Sequence, residues 1–183
     1  MSAFRNKLAK KLAFSAMALA LGYIASFFKI SSLPMGGSTT LLSMLFICLI
    51  GYWYGLKVGL TAAVAYAFLQ FIQKPVSVHP VQPILDYLLA FGALGLSGIF
   101  KDRKNGLIIG YLVAVFGRFC FHSLSGLIFF TDYTSISIGG AVWASAAYNM
   151  TYIVPEVIIT VVILFLPPVK QAMKKVKELA QAN

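Results

Sequence analysis

Three polar residues, Asp86, His122 and Asn149, interrupt separate long apolar segments of this 183-residue chain. Lipid penalises such groups by kilocalories, so an ionisable residue within an apolar segment is a candidate functional residue. A helical rise of ~1.5 Å per residue from the expected segment ends places Asp86 ~6 Å, Asn149 ~10 Å and His122 ~12 Å below one surface. Their similar depth predicts a single pocket that opens towards that side and is closed towards the other.

Other polar and aromatic residues share helix faces with these candidates. The faces hold Arg118, His122, Ser125 and Phe129 on one segment, Ser145, Asn149, Tyr152 and Glu156 on the next, and Gln82 with Asp86 on a third. Polar stripes in lipid-embedded helices face protein or a water-filled cavity. Interhelical hydrogen bonding explains Ser125 and Ser145 well, whereas a carboxylate cannot satisfy itself locally. Function is therefore favoured for Asp86 and His122.

Charge pairing then suggests what the pocket binds. Arg118 and Glu156 lie deeper and have opposite charges, so we expect an internal ion pair at the floor of the pocket. Asp86 is left without an evident basic partner, and a cationic ligand would supply one. The aromatic residues near its level can sandwich a flat cationic ring, although each alone is also typical of an interfacial belt or of core packing. These aromatic residues are Tyr87, Phe130, Trp143 and Tyr148.

Composition indicates an integral membrane protein. Hydrophobic residues make up 60% of the chain and charged residues 11%, with a mean hydropathy of +0.85, whereas soluble domains are about one quarter charged. The net charge of +10 lies at segment ends, and no nucleic-acid-binding module is recognisable, so nucleic acid is not an expected partner. Cys48 and Cys120 both fall in apolar segments, which favours buried thiols over a disulfide.

The expected fold is all-α, with six transmembrane helices in a single domain of residues 1–183. A span needs about 20 residues, and the predicted spans are approximately 9–28, 41–56, 58–73, 82–100, 107–130 and 142–166. Turn-forming residues separate them at 33–38, 74–75, 101–106 and 167–168. The second and third spans are short and are joined only by residues 55–57.

Lysine and arginine positions predict the orientation. Twelve of these residues fall in segments that are cytoplasmic if the N-terminus is inside, against only Lys29 and Lys74 on the opposite side. The positive-inside rule therefore places both termini in the cytoplasm and the pocket outside. The basic start, with Ala18-Leu19-Ala20, superficially resembles a signal peptide. We expect it to remain, because its removal would leave five spans.

Four separated strings resemble the thiamine-specific S components of energy-coupling factor (ECF) vitamin transporters. They are residues 33–38, `HPVQPILDYLLAFGALGLSGIF` (79–100), `RFCFHSLSGLIFF` (118–130) and `YNMTYIVPE` (148–156). The resemblance implies a six-helix, multi-pass protein of the bacterial cell membrane that captures thiamine (vitamin B1) with high affinity. Its implied partners are a transmembrane coupling subunit and two cytoplasmic ATPases. It implies no enzymatic activity, no cofactor and no metal.

The resemblance also assigns site residues. The family's vitamin-contacting positions match Asp86, Tyr87, His122 and Asn149, and its fifth-helix motif matches Gly126 and Phe130. We add Gln82 because it shares a helix face with Asp86, and Trp143 and Tyr148 because of their depth. Relatives often carry Tyr where this chain has Ala144, Glu where it has Asp86, and a Trp in the first outer loop that has no counterpart between Lys29 and Thr40.

Transport energy must come from elsewhere, since the chain has no G-x-x-x-x-G-K-[ST] phosphate loop. The first span carries small residues at Ala16 and Ala20 and at Ala18 and Gly22, spacings that permit close helix approach. Spacing alone fits internal packing equally well. Given the resemblance, we expect Ala16 and Ala20 to form the docking face for the coupling subunit.

Other functions remain open at this point. The chain resembles an S component, but the ligand can be another vitamin or heterocycle. A small secondary transporter can use Asp86 and His122 as a proton relay, although no inverted repeat is visible. An intramembrane enzyme can use the same pair for acid–base chemistry, although no nucleophile accompanies it.

Overall fold

The computed structural model describes residues 2–77, 79–133 and 137–182, apart from the side chains of 2–3 and 129–133, and over these ranges the protein is predominantly helical. Its elements in chain order are α1 (Ser2–Ala25), β1 (Lys29–Ser32), β2 (Ser38–Thr40), α2 (Ser43–Tyr54), α3 (Leu56–Gln73), α4 (Ile84–Phe100), α5 (Gly106–Tyr133), α6 (Ile138–Phe165) and α7 (Pro167–Gln181). The breaks predicted at 33–38, 74–75 and 101–106 lie between successive helices to within one residue, whereas the predicted break at 167–168 is the start of α7.

Four described helices, α1, α3, α5 and α6, are long and apolar enough to cross a membrane, and α2 and α4 are shorter apolar helices. Nine of the 12 residues of α2 are buried. This helix is therefore surrounded by protein. A lipid-facing helix must match the hydrocarbon thickness of roughly 30 Å, but a helix buried within the bundle need not.

The fourth helix is irregular along its whole length. It begins as a wide π-helical turn (Ile84–Leu89), continues through Ala90–Gly92 and finishes as a 3₁₀ helix (Ala93–Phe100). A 3₁₀ helix rises ~2 Å per residue, which lengthens this segment relative to an α-helix. The narrow 3₁₀ portion lies between α2, α3 and α5.

Glycines permit this close packing. A Cβ atom on Gly95 would lie 2.5 Å from the backbone nitrogen of Leu60, and one on Gly98 would lie 2.5 Å from that of Leu56. Real Cβ contacts are not that short. Any larger residue at either position would push α4 away from α3.

A short antiparallel hairpin of β1 and β2, which the sequence analysis did not predict, joins α1 to α2. Its turn contains Met35 (φ 64°) and Gly36 (φ 105°), and the N–H of Leu33 donates to the carbonyl oxygen of Gly37 at 2.8 Å. Over the described residues, the secondary structure is therefore helical apart from this hairpin. Backbone that is irregular at membrane depth is tolerated where it is buried in protein or lines a cavity.

The described residues nearest to both termini lie at the end of the bundle opposite the hairpin. Lys10 Nζ donates to the carbonyl oxygen of Ala182 at 3.3 Å, and Tyr54 Oη donates to that of Ala180 at 3.1 Å. Lys177 lies 3.9 Å from the centre of the Tyr52 ring, and burial lowers the pKa of Lys177 below its ordinary value. These contacts hold α7, an amphipathic helix not predicted from the sequence, against the bundle.

The two small-residue pairs of α1 face different ways. Ala18 and Gly22 are buried, and a Cβ atom on Gly22 would lie 2.9 Å from Ile47 Cδ1 of α2. Ala16 and Ala20 are exposed. Internal packing therefore explains Ala18 and Gly22, while Ala16 and Ala20 remain available to a partner helix.

Candidate functional site

A cavity of about 600 Å³ lies at the hairpin end of the bundle. This volume is within the range of ligand pockets, roughly 300–1,000 Å³. Asp86, His122 and Asn149 all line the cavity, as their similar depth predicted. Its wall is completed by Ser26, which follows α1, by the C-terminal half of α3, by the hairpin, and by parts of α4, α5 and α6.

Asp86 and His122 form a hydrogen-bonded chain with Arg118. Arg118 Nε donates to His122 Nε2 at 3.2 Å, and His122 Nδ1 lies 3.0 Å from Asp86 Oδ1. Because Nε2 accepts, the proton of a neutral imidazole must be on Nδ1, which then donates to the carboxylate. The histidine thus links a guanidinium to a carboxylate. The expectation that Asp86 lacks a basic partner is therefore wrong.

Two contacts position Arg118, one with His122 on the same helix, α5, and one with Phe91 on α4. Its guanidinium carbon lies 4.3 Å from the centre of the Phe91 ring, and only 8% of the residue is exposed. A cation over an aromatic face is attracted by the ring quadrupole, most strongly where water is excluded. The contacts with the ring and with the imidazole together compensate for the hydration that the Arg118 guanidinium loses on burial.

The predicted ion pair between Arg118 and Glu156 is not formed. The carboxylate of Glu156 instead accepts from Thr40 Oγ1 at 2.7 Å, from Ser43 Oγ at 3.2 Å and from the backbone N–H groups of Thr40 and Met44 at 3.3 and 3.2 Å. This position is the N-terminus of α2, where the helix dipole and free N–H groups favour a negative charge. Glu156 therefore joins α6 to the base of the hairpin.

Two tyrosines hold the segments that cover the cavity. Tyr148 Oη donates to the carbonyl oxygen of Pro34 and accepts from the N–H of Gly37 at 2.9 Å. Tyr87 Oη donates to the carbonyl oxygen of Lys74 and accepts from the N–H of Val76 at 3.1 Å. One hydroxyl thus fixes the hairpin turn to α6, and the other fixes the α3–α4 connection to α4.

Asn149 is positioned by its neighbours on α6. Its Nδ2 donates to the carbonyl oxygen of Ser145 at 2.9 Å, and its Oδ1 accepts from Tyr152 Oη. Ser145 Oγ donates to the carbonyl oxygen of Ser123 on α5 at 2.8 Å, so the interhelical role expected of Ser145 is confirmed. These bonds hold the amide in a fixed orientation at the cavity wall.

Most of the other predicted site residues also line the cavity, namely Gln82, Tyr87, Gly126 and Tyr148. Trp143 does not. It is 76% exposed, because it lies two residues, or about 200° of helix rotation, from Ser145 on the inward face. The prediction for Trp143 is wrong. Phe130 belongs to α5, but its side chain lies outside the described part of the chain.

Sequence reasoning missed the contribution of α3. Tyr66, Gln70 and Gln73 line the cavity. The two glutamines contact Ser26, just after α1, with Gln70 Nε2 donating to Ser26 Oγ at 3.0 Å. Their spacing of three, four and seven residues was the available signal.

The role expected of Ser125 is also not the one observed. Its hydroxyl is buried, lines the cavity and has no hydrogen-bond partner among the described residues, so it does not join two helices as Ser145 does. A buried hydroxyl without a partner carries a desolvation penalty. A ligand in the cavity can relieve that penalty.

Comparisons with known proteins agree with this architecture. The chain is 37% identical over 150 residues to the thiamine transporter ThiT of Bacillus subtilis (strain 168), covering 74% of this chain and 77% of that protein. A solved structure of ThiT from Listeria monocytogenes superposes with a TM-score of 0.65 at 18% identity, covering 93% of this chain and 96% of that one, which shows a shared fold. The model of the thiamine transporter protein family (Thia_YuaJ) matches residues 12–176. The chain is therefore a multi-pass bacterial membrane protein that belongs to the thiamine transporter family.

Proposed function

We propose that the protein is the substrate-capturing S component of an ECF transporter and binds thiamine from outside the cell with high affinity. The observation that carries the proposal is the carboxylate of Asp86 on the wall of a cavity of suitable size. Aromatic side chains line the same cavity, namely Tyr66, Tyr87, Phe91, Tyr148 and Tyr152. A carboxylate with aromatic rings suits a flat cationic heterocycle such as the thiazolium of thiamine. The family and the B. subtilis relative support this substrate.

The polar groups suggest how thiamine is oriented. Asp86 neutralises the thiazolium, while the Asn149 amide and the free Ser125 hydroxyl offer hydrogen bonds to the aminopyrimidine ring. A fixed amide and a hydroxyl distinguish ring nitrogens from ring carbons, because a mismatched ligand leaves buried polar groups unpaired. His122 holds the carboxylate through the 3.0 Å hydrogen bond and so limits its loss of rotamer freedom when the ligand binds.

We infer six membrane-crossing helices, α1 to α6, with both termini in the cytoplasm. Burial of the short α2 within the bundle supports its inclusion among the crossing helices. The inclusion of α4 is supported by its 3₁₀ stretch of eight residues, which spans ~16 Å. The lysine distribution supports the orientation. Uptake then depends on ATP hydrolysis by partner subunits, and the exposed Ala16 and Ala20 of α1 are the proposed docking face for the coupling subunit.

A proton-coupled transporter needs a relay that continues across the membrane. Among the described residues, the hydrogen-bonded chain from Asp86 ends at Arg118, and Glu156 is held separately by the hairpin. Proton coupling is therefore less well supported than binding of a cation.

Titration calorimetry on the purified, detergent-solubilised protein tests the proposal directly. We expect one thiamine per chain, bound without ATP or partner subunits, because the described cavity is formed within a single chain. Riboflavin and biotin serve as control ligands. Tight binding of either one with no binding of thiamine would contradict the assigned substrate.

A further inference from the structure

A second cavity, of about 350 Å³, lies against α7 at the end of the bundle opposite the hairpin. The start of α5, the end of α6 and the first turns of α7 form most of the wall of this α7 cavity. Helices α5 and α6 are long and apolar enough to cross a membrane. Phe165 and Leu166, where α6 meets α7, are 65% and 47% exposed, as expected for side chains that face hydrocarbon. The α7 cavity therefore lies at the boundary between lipid and water.

Its wall has an apolar part and a basic part. The apolar part consists of four side chains from three helices, Leu107, Ile108, Leu164 and Met173. The basic part consists of Lys170 and Lys174, which are exposed and one turn apart on α7. An anionic amphiphile at the membrane boundary would complement both parts.

Neither lysine is paired in the part of the chain that the structure describes. The ion pairs found there are Lys101 with Asp102 and His122 with Asp86. Glu178 lies one turn beyond Lys174 on α7 but forms no ion pair with it. The two ammonium groups therefore have no protein carboxylate to neutralise them at the α7 cavity.

This arrangement costs free energy in the absence of an anion. Like charges at positions i and i+4 of a helix repel each other, and Lys170 and Lys174 have this spacing. Lys170 is also the fourth residue of α7, where the positive end of the helix dipole disfavours a cation. An anion bound between the two side chains would remove both penalties.

Lys177 shows that α7 is held in place beside the cavity. It shares a helix side with Lys170 and Lys174, since the three follow the spacing i, i+4, i+7. Its Nζ lies 3.9 Å from the centre of the Tyr52 ring and donates to the carbonyl oxygen of Lys101. These contacts use the charge of Lys177 within the protein and leave the other two lysines at the cavity.

We propose that the α7 cavity binds an anionic phospholipid, with Lys170 and Lys174 on its phosphate and the apolar side chains against its glycerol backbone and upper acyl chains. Ammonium groups bind phosphate through charge-assisted hydrogen bonds, and basic pockets between membrane helices suit lipid headgroups. A soluble phosphate would neutralise the amines but leave the apolar part uncovered. The inference goes beyond the proposed function and does not depend on thiamine.

Native mass spectrometry of the delipidated, detergent-solubilised protein tests this site. Phosphatidylglycerol and the zwitterionic phosphatidylcholine are titrated separately into the parent and into the double variant Lys170→Gln, Lys174→Gln. Glycerol 3-phosphate, which carries the phosphate without acyl chains, is added as a competitor. The matched control is Lys57→Gln, Lys175→Gln, which removes two exposed lysines that do not line the α7 cavity. Thermal unfolding confirms that each variant is folded.

We expect the parent to bind one phosphatidylglycerol with a Kd roughly tenfold below that of phosphatidylcholine, because two amines meet an uncompensated negative charge. The double variant should lose this preference, whereas the control variant should keep it. Millimolar glycerol 3-phosphate should leave the bound lipid in place, because it cannot cover the apolar wall.

Three results would overturn the proposal. Equal Kd values for the two lipids in the parent would mean that the cavity does not select an anionic headgroup. Equal preferences in the double variant and the control would mean that Lys170 and Lys174 do not contact the lipid. Displacement by glycerol 3-phosphate would assign the site to a soluble phosphate compound. None of these results bears on thiamine binding, which the calorimetric titration measures separately.

Discussion

At the scale of single residues, the site depends on how Asp86 keeps its charge in an apolar environment. The carboxylate lies 3.0 Å from His122, and His122 is in turn bonded to Arg118. The hydrogen bonds connect Arg118 to Asp86 through the imidazole. The carboxylate is therefore stabilised before a ligand arrives, yet one side of it remains directed to the cavity.

Replacing Asp86 with Asn removes the charge of this side chain but keeps an oxygen that can accept a hydrogen bond. The amide oxygen of Asn can still accept from His122, so the fold should be preserved, while the charge that neutralises the thiazolium is lost. We expect Asp86→Asn to cost about 2–5 kcal/mol of thiamine binding, as for removal of one partner from a desolvated charge pair. Calorimetry and thermal unfolding measure the two effects separately.

The control is Asp102→Asn, which removes a carboxylate that is 80% exposed in the α4–α5 connection, away from the cavity. This variant should bind thiamine like the parent. If Asp86→Asn also binds like the parent, Asp86 has only a structural role.

Residue types and helix rise were enough to predict that Asp86, His122 and Asn149 share a pocket. The hydrogen-bond partners of the buried charged residues were not predictable in the same way. Opposite charge suggested that Arg118 pairs with Glu156, but Glu156 binds the hairpin and the start of α2 instead. Those groups lie more than 110 residues away in the sequence, and only the folded chain brings them to the carboxylate.

At the scale of elements, helix periodicity predicted helices α1 to α6, and most of the predicted ends lie within a few residues of the helix ends, because a lipid environment requires long apolar segments. It did not predict the hairpin, whose strands are only four and three residues long. It also did not predict the π and 3₁₀ turns of α4. These helices differ from an α-helix in which carbonyl each N–H reaches, and a hydrophobic pattern carries little information about that difference.

The exposed stripe of α1 leads to a prediction about coupling. Ala16 and Ala20 are exposed and one helical turn apart, so replacing both with Leu adds bulk where another helix would approach. We expect this double variant to bind thiamine normally as an isolated subunit and to lose ATP-dependent uptake in the assembled transporter. Binding and uptake should be measured on one preparation.

The buried pair on α1, Ala18 and Gly22, provides a contrast. Gly22→Leu should destabilise the isolated protein, because a Cβ atom there already meets Ile47 of α2. If the Ala16 and Ala20 variant retains full uptake, the coupling subunit docks elsewhere. If it loses binding together with uptake, the two alanines pack inside the fold in the membrane.

At the scale of the whole molecule, the cavity and the termini lie at opposite ends. The lysine distribution supports the proposed orientation, in which the basic end of the bundle faces the cytoplasm. Capture from outside requires the hairpin to face the external medium. The direction is testable without a ligand.

Cysteine labelling in intact cells measures this orientation. Cys120 is exposed and Cys48 is buried, so Cys120→Ala provides a background with little labelling. A membrane-impermeant maleimide should label Ser32→Cys on the hairpin in intact cells and Lys175→Cys on α7 only after permeabilisation, because both positions are exposed at opposite ends. The reverse pattern would place the pocket in the cytoplasm and contradict capture from outside.

The wide turn at Ile84–Leu89 makes the site sensitive to the length of the chain as well as to its residues. The N–H of Ala90 reaches back five residues to the carbonyl oxygen of Leu85, so this turn holds one residue more than an α-helical turn would. Deleting a single residue here would remove the extra residue and restore α-helical winding, with the segments on either side of the turn left in their present orientation. Asp86 and Tyr87 lie inside this turn, so a one-residue deletion that spares them would change the direction of their side chains even though both are retained.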